Sequence, residues 1–105
     1  MYKEADIFDL NKFCREGNLI EVKRIIEDEN IDPSISINSP LYNAISNNKF
    51  EIVKYLLSFP SVNPNDILIP KRLFENNNES IINLVIDSGR FDIVKAYDDM
   101  CYDKW

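Results

Sequence analysis

The sequence contains no histidine, only two glycines and only two cysteines. Without histidine it lacks the commonest general base and a principal metal ligand. Two cysteines without histidine make no zinc site. Glycine occurs only at Gly17 and Gly89, so no glycine-rich loop is available to cradle a phosphate. No stretch sets alternating oxygen ligands around a glycine as a calcium loop does. No apolar run approaches the roughly 18 residues of a membrane-spanning helix. Basic residues are the minority, 12 against 18 acidic, for a formal charge of −6. Nucleic-acid backbones and anionic membrane surfaces call for clustered Lys and Arg, so neither is expected as a partner. The opening MYKEADIFDL carries acids and does not read as a signal peptide. These absences point to a soluble chain in the reducing cytoplasm. It is expected to be no enzyme, with no cofactor and no small-molecule substrate. Cys14 and Cys101 are expected to be free thiols.

What is present is apolar and periodic. With 45% hydrophobic residues in 105, the chain can bury one small core, read as a single domain over 1–105. Val-Lys recurs at Val22-Lys23, Val53-Lys54 and Val94-Lys95, at intervals of 31 and 41 residues. Leu19, Phe50 and Phe91 sit three positions before each Val, and Ile25, Leu56 and Tyr97 three positions after it. That spacing places them on one helical face. Ile31-Asp32-Pro33-Ser34 is echoed by Val62-Asn63-Pro64-Asn65. Upstream, Leu41 and Ala44 align with Leu10 and Phe13, and with Ile82 and Val85. Each copy therefore reads as a first helix, a tight joint, a second helix and a Pro-bearing exit. The joints fall at Gly17-Asn18, Asn48-Lys49 and Gly89-Arg90, where Gly and Asn tolerate the left-handed conformation that ends a helix.

SPLYNAISNNKFEIVKYLL resembles the ankyrin repeat, a unit of about 33 residues whose first helix opens on a Thr-Pro-Leu-His type turn. Ser39-Pro40-Leu41-Tyr42 stands at that turn, with Ser39 as hydroxyl cap and Pro40 at the first helical position. Tyr42 replaces the usual His. The exits look like divergent ankyrin repeats of protists and of the large DNA viruses that infect them. The expected fold is all-α: an ankyrin-type helical solenoid of about three helix-turn-helix repeats, at about 6–36, 37–66 and 78–100. A short helical insert, 67–77, with its helix over Pro70–Glu75, is expected before the last. Helices are expected over Ile7–Glu16, Ile20–Asp28, Pro40–Asn47, Phe50–Ser58, Ser80–Ser88 and Phe91–Tyr97. Val22, Ile25, Leu41, Ala44, Val53, Leu56, Leu57, Ile82, Val85 and Val94 are expected in the core. Asp98 and Asp99 are expected to make the last outer face polar.

The resemblance implies a non-catalytic module that binds a protein partner through its concave face. Carried over to this sequence, the binding positions are Ile35, Ser36 and Asn38 on the loop tip and Ser46 and Asn47 on the helix of the middle copy. In the third copy they are Asn76, Asn77, Glu79, Asp87 and Ser88, and in the first Arg15 and Glu16 match Ser46 and Asn47. Two other readings stay open: a small structural subunit of a larger assembly, viral in one form, and an effector that occupies a host protein.

Overall fold

The computed structural model describes residues 4–66, 69–92 and 94. Among them are six helices and no strand: α1 Glu4–Glu16, α2 Leu19–Asp28, α3 Ile35–Ser46, α4 Phe50–Leu57, α5 Ile69–Asn76 and α6 Glu79–Asp87. They pair as hairpins α1/α2, α3/α4 and α5/α6. α1, α3 and α5 stack side by side in one layer, and α4 packs on α2 and α6 in the other.

The joints are built alike. Gly17, Asn48 and Asn77 take positive φ values of 81°, 59° and 52° and turn the chain out of each first helix. The Asn18 N–H reaches back to the Phe13 carbonyl at 3.0 Å, and the Lys49 N–H to Ala44 at 2.9 Å, closing the orphan carbonyls of the helix ends. Asn18 and Asn78 then cap the second helices, their Oδ1 accepting from the Glu21 and Ile81 N–H groups at 3.2 and 3.3 Å.

One contiguous core lies between the layers. Leu10 and Cys14 of α1, Leu41, Ala44 and Ile45 of α3 and Ile69 and Leu73 of α5 fill it from one side. Val22, Ile25 and Ile26 of α2, Ile52, Val53, Leu56 and Leu57 of α4, and Ile81 and Val85 of α6 fill it from the other. Of the expected core, Ile82 is half-buried and Val94 is 68% exposed.

Two corrections follow. The third repeat does not begin after an insert. α5, which falls within 67–77, stacks on α3 as a first helix, and α6 stacks on α4 as the second. The third joint is therefore Asn77-Asn78, 29 residues beyond Asn48-Lys49, and not Gly89-Arg90. Ile81, Ile82 and Val85 correspond to Ile52, Val53 and Leu56. Phe91 and Asp92 lie outside any helix, and the rest of the expected Phe91–Tyr97 helix is largely beyond the described residues, as are Asp98, Asp99 and Cys101.

The second correction concerns α3. It begins at Ile35, so Pro40 lies inside the helix and Ser39 does not cap it. The start is fixed earlier by Asp32, whose Oδ1 accepts from the Ser34 N–H at 2.9 Å and the Ser34 hydroxyl at 2.8 Å. The Asp32 carbonyl accepts from the Ile35 N–H at 3.1 Å. A proline here forfeits one backbone bond, and the buried ring of Pro40 packs in return.

Arg90, expected at a joint, instead clamps the end of α4. Its Nη1 donates to the Phe59 and Val62 carbonyls at 2.9 and 2.7 Å, and its Nη2 donates to the Leu57 carbonyl. A cation is well placed against the carbonyl end of a helix.

Candidate functional site

The layer α1–α3–α5 carries a row of polar side chains that bond from one repeat to the next. Ser39 Oγ donates to Asn11 Oδ1 at 3.1 Å. Arg15 Nη1 donates to Asn43 Oδ1 at 3.4 Å. Arg72 donates from Nε and Nη2 to the Tyr42 hydroxyl oxygen at 3.3 and 3.0 Å, with its guanidinium 5.5 Å from the Tyr42 ring centroid. Tyr42, which stands where the family usually has His, thus supplies a bond from the second repeat to the third. Beside it, Tyr42, Lys71, Arg72 and Glu75 line an open cleft of about 240 Å³.

Along α3 a ladder of side-chain amides runs down the helix. Asn43 Nδ2 donates to the Ser39 carbonyl at 2.8 Å and Asn47 Nδ2 to the Asn43 carbonyl at 2.9 Å. The four-residue spacing puts Ser39, Asn43 and Asn47 on one stripe. At its foot, Asn48 Oδ1 accepts from Asn76 Nδ2 and Asn78 Nδ2, each at 3.0 Å. Asn76 Nδ2 also donates to the Ile45 carbonyl.

The residues nominated from sequence fall in several places. Ile35, Ser36 and Asn38 lie in the first turn of α3, not on a loop tip. Ile35 is half-buried and packs against the core, and the side chains of Ser36 and Asn38 are outside the described set. Ser46 ends α3 with its hydroxyl oxygen buried and unpartnered. Asn47, Asn77, Glu79 and Asp87 are exposed, while Asn76 and Ser88 are half-buried. Arg15 and Glu16 are exposed at the end of α1. Ile35 and Asn47 stand at opposite ends of α3, about 18 Å apart at the helical rise, so they do not form one patch. Sequence reasoning missed Asn11, Asn43, Lys71 and Arg72 as face residues, and Tyr42 as a bonding partner. The spacing of Ser39, Asn43 and Asn47 was the available signal for the α3 stripe.

Two buried or half-buried groups are chemically quiet. Burial pushes the Cys14 thiol up to about 12, so it stays protonated near neutral pH. Burial first, then the bond to Glu27 Oε2 at 2.6 Å, raises Tyr55 above its ordinary value. Among the described residues no group of three or more His, Cys, Asp or Glu is placed to hold a metal ion. No described helix is long and apolar enough to cross a membrane.

Stacked helical hairpins of one kind define an all-α helical repeat protein. Residues 36–66, spanning most of α3, all of α4 and the exit, match the family model for the ankyrin repeat. No curated protein and no solved structure matches the chain. Ankyrin repeats in general mediate protein–protein interaction and are typically non-catalytic.

Proposed function

We propose that the chain is a non-catalytic interaction module that binds a protein partner through the face of α1, α3 and α5. The observation that carries this reading is the row of polar bonds across the repeats, Asn11–Ser39, Arg15–Asn43 and Tyr42–Arg72. Side chains held in this way lose little further freedom on binding, which lowers the entropic cost of recognition. Lys12, Asn47, Lys71 and Glu75 flank the row and, with Arg15 within it, remain exposed for contact. Asn77, Glu79 and Asp87, nominated from the sequence, belong to the joint and to α6, so they contribute at most at the margin of this face. Ile35 packs inward and is not the apolar anchor.

The test is affinity capture from the cells that make the protein, with quantitative mass spectrometry. The bait is wild type, the face variant Lys12→Glu with Lys71→Glu, or the opposite-layer variant Lys54→Glu. All three lysines are solvated, so each variant should melt like wild type. Proteins captured by wild type and by Lys54→Glu should be lost with the face variant. Equal capture by all three, or loss with Lys54→Glu alone, would move the interface off this layer.

A further inference from the structure

The side-chain bonds that join the helices of the first and second repeats share one geometry. Asn11–Ser39 and Arg15–Asn43 join α1 to α3, and Glu27–Tyr55 joins α2 to α4. Each pair is 28 residues apart, whereas the repeat step is 31. A side chain therefore meets the residue three positions, about one helical turn, before its own counterpart in the next repeat. The same rule fixes what a further repeat would have to present to the outer edge of the third.

The third-repeat counterparts of Asn11, Arg15 and Glu27, two steps of 31 and 29 residues on, are Lys71, Glu75 and Asp87. All three are exposed. Around them Phe74, Ile82 and Phe91 are half-buried and Ile86 is 38% exposed, at positions that are buried in both earlier repeats. Apolar surface of this kind gains free energy when something covers it. At the opposite end of the stack, the first repeat presents the counterparts of Ser39, Asn43 and Tyr55, the residues that meet a preceding repeat. They are Phe8, Lys12 and Arg24, all exposed, Phe8 at 65%.

We infer that the chain stacks head to tail on a second copy of itself, the third repeat of one against the first repeat of the next. The register then sets Lys71 on Phe8, Glu75 against Lys12 and Asp87 against Arg24. The first pair is a cation on an aromatic ring, and the other two are opposite charges. The joint adds a fourth match. Asn48 Oδ1 accepts from Asn78 Nδ2 across the second and third repeats, and the same step carries this bond to Asn77 and to Asn18 of the next copy. Asn77 and Asn18 are exposed, and Asn77 takes the same left-handed turn as Asn48. The Tyr42–Arg72 contact maps onto like charges, Lys71 and Lys12, which Glu75 offsets from one turn along α5.

Other features keep the contact reversible. Asp9 and Glu21 stand where the second repeat buries Pro40 and Ile52. Arg24 leaves Glu21, 2.6 Å away, to reach Asp87. The formal charge of −6 sets approaching copies against each other. The contact is therefore weak and heterologous, joining unlike edges and adding copies in a row.

Sedimentation velocity of the purified chain, with no other protein present, tests this independently of partner capture. The weight-average sedimentation coefficient should rise with concentration across the micromolar to millimolar range. Lys12→Glu with Arg24→Glu alters the first edge, and Glu75→Lys with Asp87→Arg alters the third. All four positions are exposed, so each variant should melt like wild type. Each should weaken association by about tenfold or more. The third-edge variant replaces two acids by two bases and takes the formal charge from −6 to −2, so self-repulsion cannot account for its loss. The chain carrying all four substitutions has both pairs reversed and the wild-type charge of −6, and should associate again. An equimolar mixture of the two variants should do the same. A wild-type chain that stays monomeric throughout would overturn the inference. Association that survives reversal of one edge would also overturn it, because like edges would then be meeting about a two-fold axis. Failure of both the four-substitution chain and the mixture to recover would sink it as well.

Discussion

Arg72 Nη2 lies 3.0 Å from the hydroxyl oxygen of Tyr42, thirty residues earlier in the chain, and the Arg72 guanidinium stands 5.5 Å from the Tyr42 ring centroid. One residue pair therefore combines a charge-assisted hydrogen bond with a cation–π contact between the second and third first helices. Both residues are half-exposed, so solvent screens part of the gain. Tyr42→Phe removes the acceptor and keeps the ring, and should cost about 0.5–1 kcal/mol. Arg72→Ala removes both contacts. A double-mutant cycle by urea unfolding should show coupling of about 1 kcal/mol, and a coupling of zero would show that the pair does not hold the repeats together.

The 29-residue step between the second and third repeats makes a sharp prediction about two valines. Val53 is fully buried in α4, whereas Val94 is 68% exposed. Val53→Asp buries an unpaired carboxylate and should cost about 3–5 kcal/mol, enough to end cooperative unfolding in so short an array. Val94→Asp should cost about 0.5 kcal/mol or less. Equal losses in melting temperature for the two variants would reinstate the longer step between repeats.

That contrast also shows what could be read from the sequence. The first two repeats were legible because Gly17-Asn18 and Asn48-Lys49 mark like joints, and because Val22, Ile25 and Ile26 recur as Val53, Leu56 and Leu57 at a constant spacing. The third was misread for a physical reason. Val94-Lys95 copies the Val-Lys pair, but the lysine of that pair is exposed in both earlier copies and carries no packing information. The informative signals were Ile81 and Val85 after Asn77-Asn78, where an asparagine takes the left-handed turn that Gly17 takes in the first repeat. Pro40 misled in the same way, because the turn that Asp32 makes with Ser34 and Ile35 starts the helix several residues upstream. The polar row of α1, α3 and α5 could not be seen until this register was known. Its partners lie 28 to 30 residues apart and meet only through stacking.

Asp32 should make the exit between the first two repeats sensitive to acid. Its carboxylate accepts from the Ser34 N–H, from the Ser34 hydroxyl and from the Ser61 hydroxyl at 3.2 Å, and these bonds hold it below the usual carboxylate range. A carboxyl group whose folded pKa is depressed stabilises the fold above its unfolded value, about 3.9, and loses that contribution as pH falls through the folded value. The gap in melting temperature between wild type and Asp32→Ala should therefore be constant above about pH 5 and narrow below about pH 4. Asp32→Asn keeps an acceptor oxygen, as Asn63 does at the same place in the next repeat, and should show little of this dependence. A gap that widens in acid would mean that Asp32 is not held in its charged form.

Arg90 offers the test of how the third repeat is fastened. Its half-buried guanidinium donates to the carbonyls of Leu57, Phe59 and Val62 at the end of α4 and its exit, where the Phe59 carbonyl also accepts from the Val62 N–H at 3.1 Å. Charge-assisted bonds to buried acceptors are among the costlier ones to lose. Arg90→Met keeps most of the aliphatic stem and removes the fork, and should cost about 2–3 kcal/mol. Arg90→Lys should recover only part of this, because one ammonium cannot span carbonyls arranged for a planar fork. The loss should be local before it is global. In hydrogen exchange of Arg90→Met, the amides of α6 should lose protection first, while those of α1 and α2 keep theirs. Uniform loss across all six helices would show instead that the three repeats unfold as one unit and that Arg90 does not act as a fastening between the second and the third.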